Sequence, residues 1–207
     1  MPCYSPLTGY RSKDLTAKNK RKIVFNLKYA LDDSEVTIPC GSCIGCRFEK
    51  SRQWALRCVH EASLHDENCF ITLTYNNENL PTDHSLDKTH FQKFMKRLRK
   101  KFTGQTIRFY HCGEYGEKFG RPHYHAIIFN CNFNDRKPIP GQKNLSTSEQ
   151  LKRLWGKGHV SIGDVTFQSA SYVAGYVQKK INGKQKEEHY RRVDPTTGET
   201  WVLQLRS

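Results

Sequence analysis

His123 and His125, separated only by Tyr124, open the apolar run Arg121-Pro-His-Tyr-His-Ala-Ile-Ile-Phe129. The run reads as a buried strand, and residues i and i+2 of a strand share a face. Two imidazoles held side by side on a rigid strand can bind a metal ion when a neighbouring element supplies a third ligand. Further along, Tyr172-Val-Ala-Gly-Tyr176-Val-Gln-Lys179-Lys180 sets two phenols beside positive charge. A phenol with a pKa of roughly 10 is a poor nucleophile at neutral pH. Adjacent lysine charge would favour the phenolate, and a metal on phosphate oxygens would offset the charge of the transition state. Together the two segments point to metal-assisted attack on a phosphodiester.

The third ligand is expected from the strand before the histidines. Thr106-Ile-Arg-Phe-Tyr-His-Cys112 reads as a strand, joined to Pro122–Phe129 by the Gly-rich connection 113–120. Antiparallel pairing in such a hairpin brings Glu114 beside His123, with Glu117, further into the turn, as runner-up. Two imidazoles, one carboxylate and open positions suit Mn²⁺ or Mg²⁺ shared with a substrate phosphate. Taken alone, His-Tyr-His also fits a strand with one polar face, and a tyrosine pair also fits simple packing. On a wheel of 100° per residue, Ala170, Val173, Ala174, Val177 and Ile181 form a packing arc. Tyr172, Tyr176, Lys179 and Lys180 form another, the tyrosines one turn apart.

A second cluster is Cys40-Gly-Ser-Cys43-Ile-Gly-Cys46. Three thiols at this spacing can converge on one cation, and Cys3 is the candidate fourth ligand if the N-terminus folds back. A structural Zn²⁺ and a reduced, metal-free turn both stay open; an iron–sulfur cluster lacks its usual continuation. Cys58, Cys69, Cys112 and Cys131 stand singly and read as small buried hydrophobes.

The elements around these groups follow from periodicity. Residues 1–22 read as a basic, loose arm ending in Lys18-Asn-Lys-Arg-Lys22, and 23–29 as a first strand before the Cys-rich turn 40–46. Arg47–His65 has helical spacing, with Phe48, Trp54, Ala55, Val59 and Ala62 available for burial. Cys69–Tyr75 is a β-branched, aromatic strand. Thr89–Phe102 is a basic helix with Phe91, Phe94, Met95 and Leu98 turned inward. Ser148–Trp155 is a short helix that Gly156 can end, His159–Val165 an edge strand, and Ser169–Ile181 a helix. The tail 182–207 is polar, with a turn at Asp194–Gly198 between two short strands. The order suits an α+β fold of ferredoxin/RRM-like order: one domain over 1–207, an antiparallel sheet with helices packed on one face.

Charge names the partner class. Lys and Arg number 34 against 20 Asp and Glu, a net charge of +14. Such a balance favours a polyanion, nucleic acid before an anionic membrane surface. No apolar stretch reaches the roughly 18 residues of a membrane helix, and no secretory signal is evident, so a cytoplasmic, reducing location is expected. Lys93, Lys96, Arg97, Lys100 and Lys180 are candidates to track phosphates, and Tyr75 or Trp155 to stack on bases.

Thr72-Leu-Thr-Tyr75, His123-Tyr-His125 and Tyr172-Val-Ala-Gly-Tyr176-Val-Gln-Lys179 occur in the order and style of the HUH endonucleases, the initiators of rolling-circle replication. The Cys-Gly-x-Cys-Ile-Gly-Cys-Arg turn and Gly-Arg-Pro-His-Tyr-His more narrowly resemble the initiators of gokushovirus-type microviruses, small single-stranded DNA phages. The resemblance runs from about Cys3 to Lys180. It implies site-specific, metal-dependent nicking and joining of single-stranded DNA at a viral origin through a 5′-phosphotyrosine. It implies a divalent ion on His123, His125 and the acid matched by Glu114. It implies Tyr172 and Tyr176 as paired nucleophiles and Lys179 as the lysine of that helix. Host replication machinery in the cytoplasm of an infected bacterium is the expected setting. Relatives usually continue further, so Ser207 is expected to be an engineered or truncated end. A catalytically silent single-strand-binding module, and a tyrosine transposase or relaxase of the same superfamily, remain alternatives.

Overall fold

A computed structural model describes residues 3–116, 120–179, 191–193 and 200–202. They fall into two compact units, Met1–Lys50 and Ser51–Ser207.

In the first unit, β1 (Leu7–Leu15), β2 (Arg21–Val24) and β3 (Ala30–Ile38) form an antiparallel sheet in the order β2-β1-β3. The loose arm expected over 1–22 is therefore corrected. The basic run 18–22 is a tight turn that leads into β2: Asn19 takes φ 56°, a left-handed conformation Asn tolerates. Its amide donates to the Thr16 carbonyl at 2.8 Å, and Arg21 reaches back to the Ser12 carbonyl at 2.7 Å. The strand expected over 23–29 stops at Val24. There the Asn26 side chain accepts from the Lys28 amide and starts a 3₁₀ turn, Leu27–Tyr29.

The second unit is the α+β core. Helix α1 (Ile44–Ala62), which belongs to this unit from Ser51 onward, leads through β4 (Asn68–Tyr75), α2 (Lys88–Lys101), β5 (Arg108–Tyr115) and β6 (Pro122–Phe129). Then come β7 (Lys137–Pro138), β8 (Ser146–Thr147), α3 (Glu149–Trp155), β9 (Gly158–Gly163) and α4 (Phe167–Lys179). Strands β10 (Arg191–Val193) and β11 (Thr200–Val202) pair with each other, as the tail pattern predicts; the turn between them lies outside the described residues. The sheet is antiparallel in the order β5-β6-β4-β9-β8-β7. Because β9 lies between β4 and the two-residue β8, the edge expected at 159–165 is occupied, although by a single bridge.

Helices cover both faces of this sheet rather than one. Strand β6 is apolar on both sides, so each face demands a partner. Tyr124, Ala126 and Ile128 meet Phe91, Phe94, Met95 and Leu98 of α2 and Leu151 and Trp155 of α3. Ile127 and Phe129 meet Ala55 and Cys58 of α1 and Ala170 and Val173 of α4. Phe48, expected inside, is 59% exposed.

Two glycines shape the turn that delivers β9. Gly156 ends α3 in the left-handed region at φ 65°. Gly158, at φ 143°, lies so close to the backbone of Thr74, Tyr75 and Asn76 that a Cβ would collide with it. Helix α4 begins with a reciprocal cap: the Thr166 amide donates to Ser169 Oγ at 2.9 Å and the Ser169 amide to Thr166 Oγ1 at 3.1 Å. No helix among the described residues is long and apolar enough to cross a membrane.

Candidate functional site

The register of the hairpin puts Glu114 directly opposite His123 and Cys112 opposite His125. On the other side of β6, Thr72 of β4 pairs with His125. Alternation then turns Glu114, His123, His125 and Thr72 to the sheet face that α4 covers, while Tyr124 goes into the opposite core.

The side chains converge on one atom. Glu114 Oε1 stands 2.6 Å from His123 Nε2 and 2.9 Å from His125 Nε2. The Tyr172 hydroxyl donates to the same oxygen at 3.2 Å and lies 3.4 Å from His125 Nε2. The phenyl ring of Phe70 stacks beside the His125 ring at 5.7 Å and meets the Tyr172 ring edge-on at 6.3 Å. The Tyr176 ring is 4.8 Å from that of Tyr172 and lies at 26° over His125. Tyr172 is 42% exposed, so the cluster opens to solvent on the tyrosine side.

The outer nitrogens of the imidazoles fix how the inner ones face. His123 Nδ1 lies 2.9 Å from the Arg121 carbonyl, which can only accept, so Nδ1 carries the proton and Nε2 offers a lone pair. His125 Nδ1 is 2.9 Å from Thr72 Oγ1. The Nε2 of His123 and a carboxylate oxygen at 2.6 Å are thus two acceptors in contact, which need a proton or a cation between them.

Electrostatics follow the same geometry. Without a metal, protons on the two Nε2 atoms fill that place: burial alone would raise the Glu114 carboxyl, but hydrogen bonds from His123 and His125, with their charge, outweigh it and hold the group at about 2. Burial pulls His125 below its ordinary value, partly offset by Glu114. Burial, the Tyr176 hydroxyl and the Glu114 charge push the Tyr172 phenol above its ordinary range.

The donor set fits a divalent ion. Ligands roughly 2.1 Å from one such ion stand about 3 Å apart when adjacent, close to the 2.6 and 2.9 Å between Glu114 Oε1 and the two histidine nitrogens. The second carboxylate oxygen, Glu114 Oε2, is buried without a hydrogen-bond partner. An orphaned anionic oxygen of this kind is what a cation satisfies.

Of the remaining expected residues, the Lys179 side chain, Lys180 and Glu117 lie outside the described residues. Tyr75 and Trp155 are fully buried, their rings 5.2 Å apart, so neither can stack on a base. Packing of α2 and α3 on the face of β4 that Tyr75 shares with Cys69, Ile71 and Leu73 overrides the exposure expected of an aromatic at a strand end. Arg97 is also reassigned: its guanidinium donates to the Leu154 and Trp155 carbonyls, at 2.7 and 3.0 Å, and caps α3. Lys93, Lys96 and Lys100 are exposed on α2, across the sheet from the histidines. Thr72 was visible only as part of a motif; its service to His125 depends on inter-strand register, which sequence does not state. In the first unit, the sulfurs of Cys3, Cys40, Cys43 and Cys46 all lie within 4.8 Å of one another.

Residues 68–181 match the family of replication-associated protein ORF2/G2P. The chain is 33% identical over 219 residues to the replication-associated protein VP4 of Bdellovibrio phage phiMH2K, covering 98% of this chain and 67% of that protein. It is 38% identical over 171 residues to the replication-associated protein ORF2 of Spiroplasma virus 4, covering 77% of this chain and 52% of the relative. To the replication-associated protein ORF4 of Chlamydia phage 1 it is 38% identical over 154 residues, covering 70% of this chain and 38% of the relative. No solved structure matches the chain.

Proposed function

The chain belongs to the replication-associated protein ORF2/G2P family, and on that premise we propose that it is a metal-dependent, tyrosine-type nicking and joining enzyme of the HUH class. Its substrate is single-stranded DNA at the origin of a gokushovirus-type phage genome copied by rolling-circle replication inside a bacterial host. The observation that carries the reading is the meeting of the Tyr172 hydroxyl with Glu114 Oε1, itself within 2.9 Å of both His123 and His125 Nε2.

Glu114, His123 and His125 would hold Mn²⁺ or Mg²⁺, which withdraws charge from the scissile phosphate and offsets the charge that builds there. Tyr172 attacks first, because its oxygen is the one beside the ligand cluster. A bond forms from the phenolic oxygen to phosphorus, and the bond from phosphorus to the 3′ oxygen breaks. The phenolic proton is transferred overall to the departing oxygen. The products are a 5′-phosphotyrosine and a free 3′-OH that can prime synthesis. Tyr176, one helical turn along, cuts the regenerated junction, and the released 3′-OH attacks the first link to close a circle. Each step exchanges one phosphodiester for another, so no nucleotide hydrolysis is needed. Half-buried Phe70 and buried Ala170 and Val173 keep α4 and the histidine strand in register while this happens.

The test uses single-stranded origin DNA labelled at its 3′ end, with Mn²⁺ and the full chain, resolved on a denaturing gel. A labelled covalent adduct that disappears in EDTA is expected. Free labelled fragment with no adduct would point to water rather than tyrosine as nucleophile and sink the proposal; bound but uncut DNA would return the chain to a binding module.

A further inference from the structure

The first unit has almost no apolar interior. Among its described residues Ala30 is the one buried hydrophobic side chain, while Leu7, Leu15, Ile23, Phe25, Leu27 and Ile44 are exposed. Units of this size seldom fold on a core alone and commonly add a disulfide or a metal. Disulfides are absent here: all four cysteines of the cluster are free and half-buried.

The four sulfurs are nonetheless arranged as a set. Cys3 Sγ and Cys43 Sγ are 3.8 Å apart, far beyond the roughly 2.05 Å of an S–S bond. That spacing is the edge of a tetrahedron whose centre-to-sulfur bonds are about 2.3 Å, the length of a zinc–thiolate bond. Backbone amides point at three of the sulfurs: the Cys40 amide at Cys3 Sγ and the Cys43 amide at Cys40 Sγ, both at 3.3 Å, and the Cys46 amide at Cys43 Sγ at 3.5 Å. The Ser42 hydroxyl adds a contact to Cys40 Sγ at 3.7 Å. Donors aimed at sulfur favour the thiolate over the thiol, and thiolate is the form that binds a metal.

We propose that Cys3, Cys40, Cys43 and Cys46 form a structural zinc site that replaces the missing core of the N-terminal unit. Zinc enters as the four thiols release their protons, leaving a tetrathiolate with no open position and hence no role in phosphodiester chemistry. Its work is topological. It ties the chain start to the end of β3 and the first turn of α1, closing the loop that contains the whole three-stranded sheet.

The test measures metal rather than activity. The full chain, purified under reducing conditions, should hold one zinc per chain, and protein loaded with Co²⁺ should show the intense visible bands of tetrahedral thiolate coordination. Cys43→Ser should lose both signals, and a His123→Ala/His125→Ala double variant should keep both. If Cys43→Ser does not fold, thiol alkylation read by mass spectrometry decides on the unaltered chain. Cys3, Cys40, Cys43 and Cys46 should resist alkylation until a strong chelator is added, and the same treatment should open residues 3–46 to protease. Substoichiometric zinc, iron in its place, alkylation of the four thiols before chelation, or zinc lost with the histidines would each overturn the site.

Discussion

Thr72 Oγ1 stands 2.9 Å from Nδ1 of His125, on the far side of the imidazole from Glu114. The two residues face each other across β4 and β6, so the contact is set by strand register and not by a mobile loop. With Nδ1 engaged by the hydroxyl, the ring cannot flip, and Nε2 is held toward Glu114 and Tyr172. Positioning of this kind by a group that never touches the ion is how proteins tune metal ligands.

Thr72→Val keeps the β-branched shape and removes the hydroxyl. Mn²⁺ affinity should fall by roughly 10- to 100-fold, read by calorimetry or by the Mn²⁺ concentration that half-saturates nicking. Saturating Mn²⁺ should restore most of the rate. Unchanged Mn²⁺ affinity would mean that Thr72 is packing alone.

Tyr172→Phe and Tyr176→Phe should part company. The Tyr172 hydroxyl reaches the carboxylate oxygen at the centre of the site, whereas the Tyr176 hydroxyl bears on Tyr172 and its ring packs on Tyr172 and His125. In a single-turnover assay on an uncut origin strand, Tyr172→Phe should lose the covalent adduct and Tyr176→Phe should retain it. Tyr176→Phe should fail instead at the joining step, when the substrate carries a second junction. Equal loss in both variants would remove the order proposed for the two attacks.

The acid limb of stability carries the signature of Glu114. Its folded pKa, held at about 2 by His123 and His125 against the opposing effect of burial, lies below the unfolded value. The stabilisation is therefore fully present above roughly pH 4.5 and is lost as pH falls toward the folded value, at most on the order of 3 kcal/mol. Denaturant titrations of metal-free protein in EDTA should show a gap between the unaltered chain and Glu114→Gln that shrinks over that interval. A gap that does not change with pH would show that the imidazoles do not hold the carboxylate charged.

Much of this site was legible because its signals are local. His123 and His125 announce one strand face by alternation, Tyr172 and Tyr176 one helix face by their spacing, and Glu114 follows from hairpin pairing. What escaped depends on long-range packing. Tyr75 looks like an exposed aromatic until α2 and α3 are seen to cover its face of β4, and Arg97 like a phosphate contact until α3 ends beside it. Helices on both faces of the sheet could have been suspected from β6, whose residues 124–129 are apolar without alternation. The strands of the first unit were hidden by polar composition, because their pairing is held by backbone hydrogen bonds and turn geometry rather than by a core.

The same substitution should act with opposite sign at two glycines. Gly175 sits inside α4 between the tyrosines, and a Cβ there meets nothing within 4 Å. Alanine at this position limits the unfolded chain and suits the helix, so Gly175→Ala should stabilise by about 0.5–1 kcal/mol. At Gly158 the backbone is at φ 143° and a Cβ runs into the Thr74–Asn76 backbone, so alanine must open the β4–β9 pairing at Tyr75 or strain its own backbone. Gly158→Ala should cost on the order of 3 kcal/mol. It should also weaken nicking, because β4 carries Thr72 and any shift is passed to His125. Denaturation midpoints of the two variants, measured against the unaltered chain, check the pair directly. A neutral Gly158→Ala would mean that the turn after α3 relaxes freely, and that β4 is not held in place from that side.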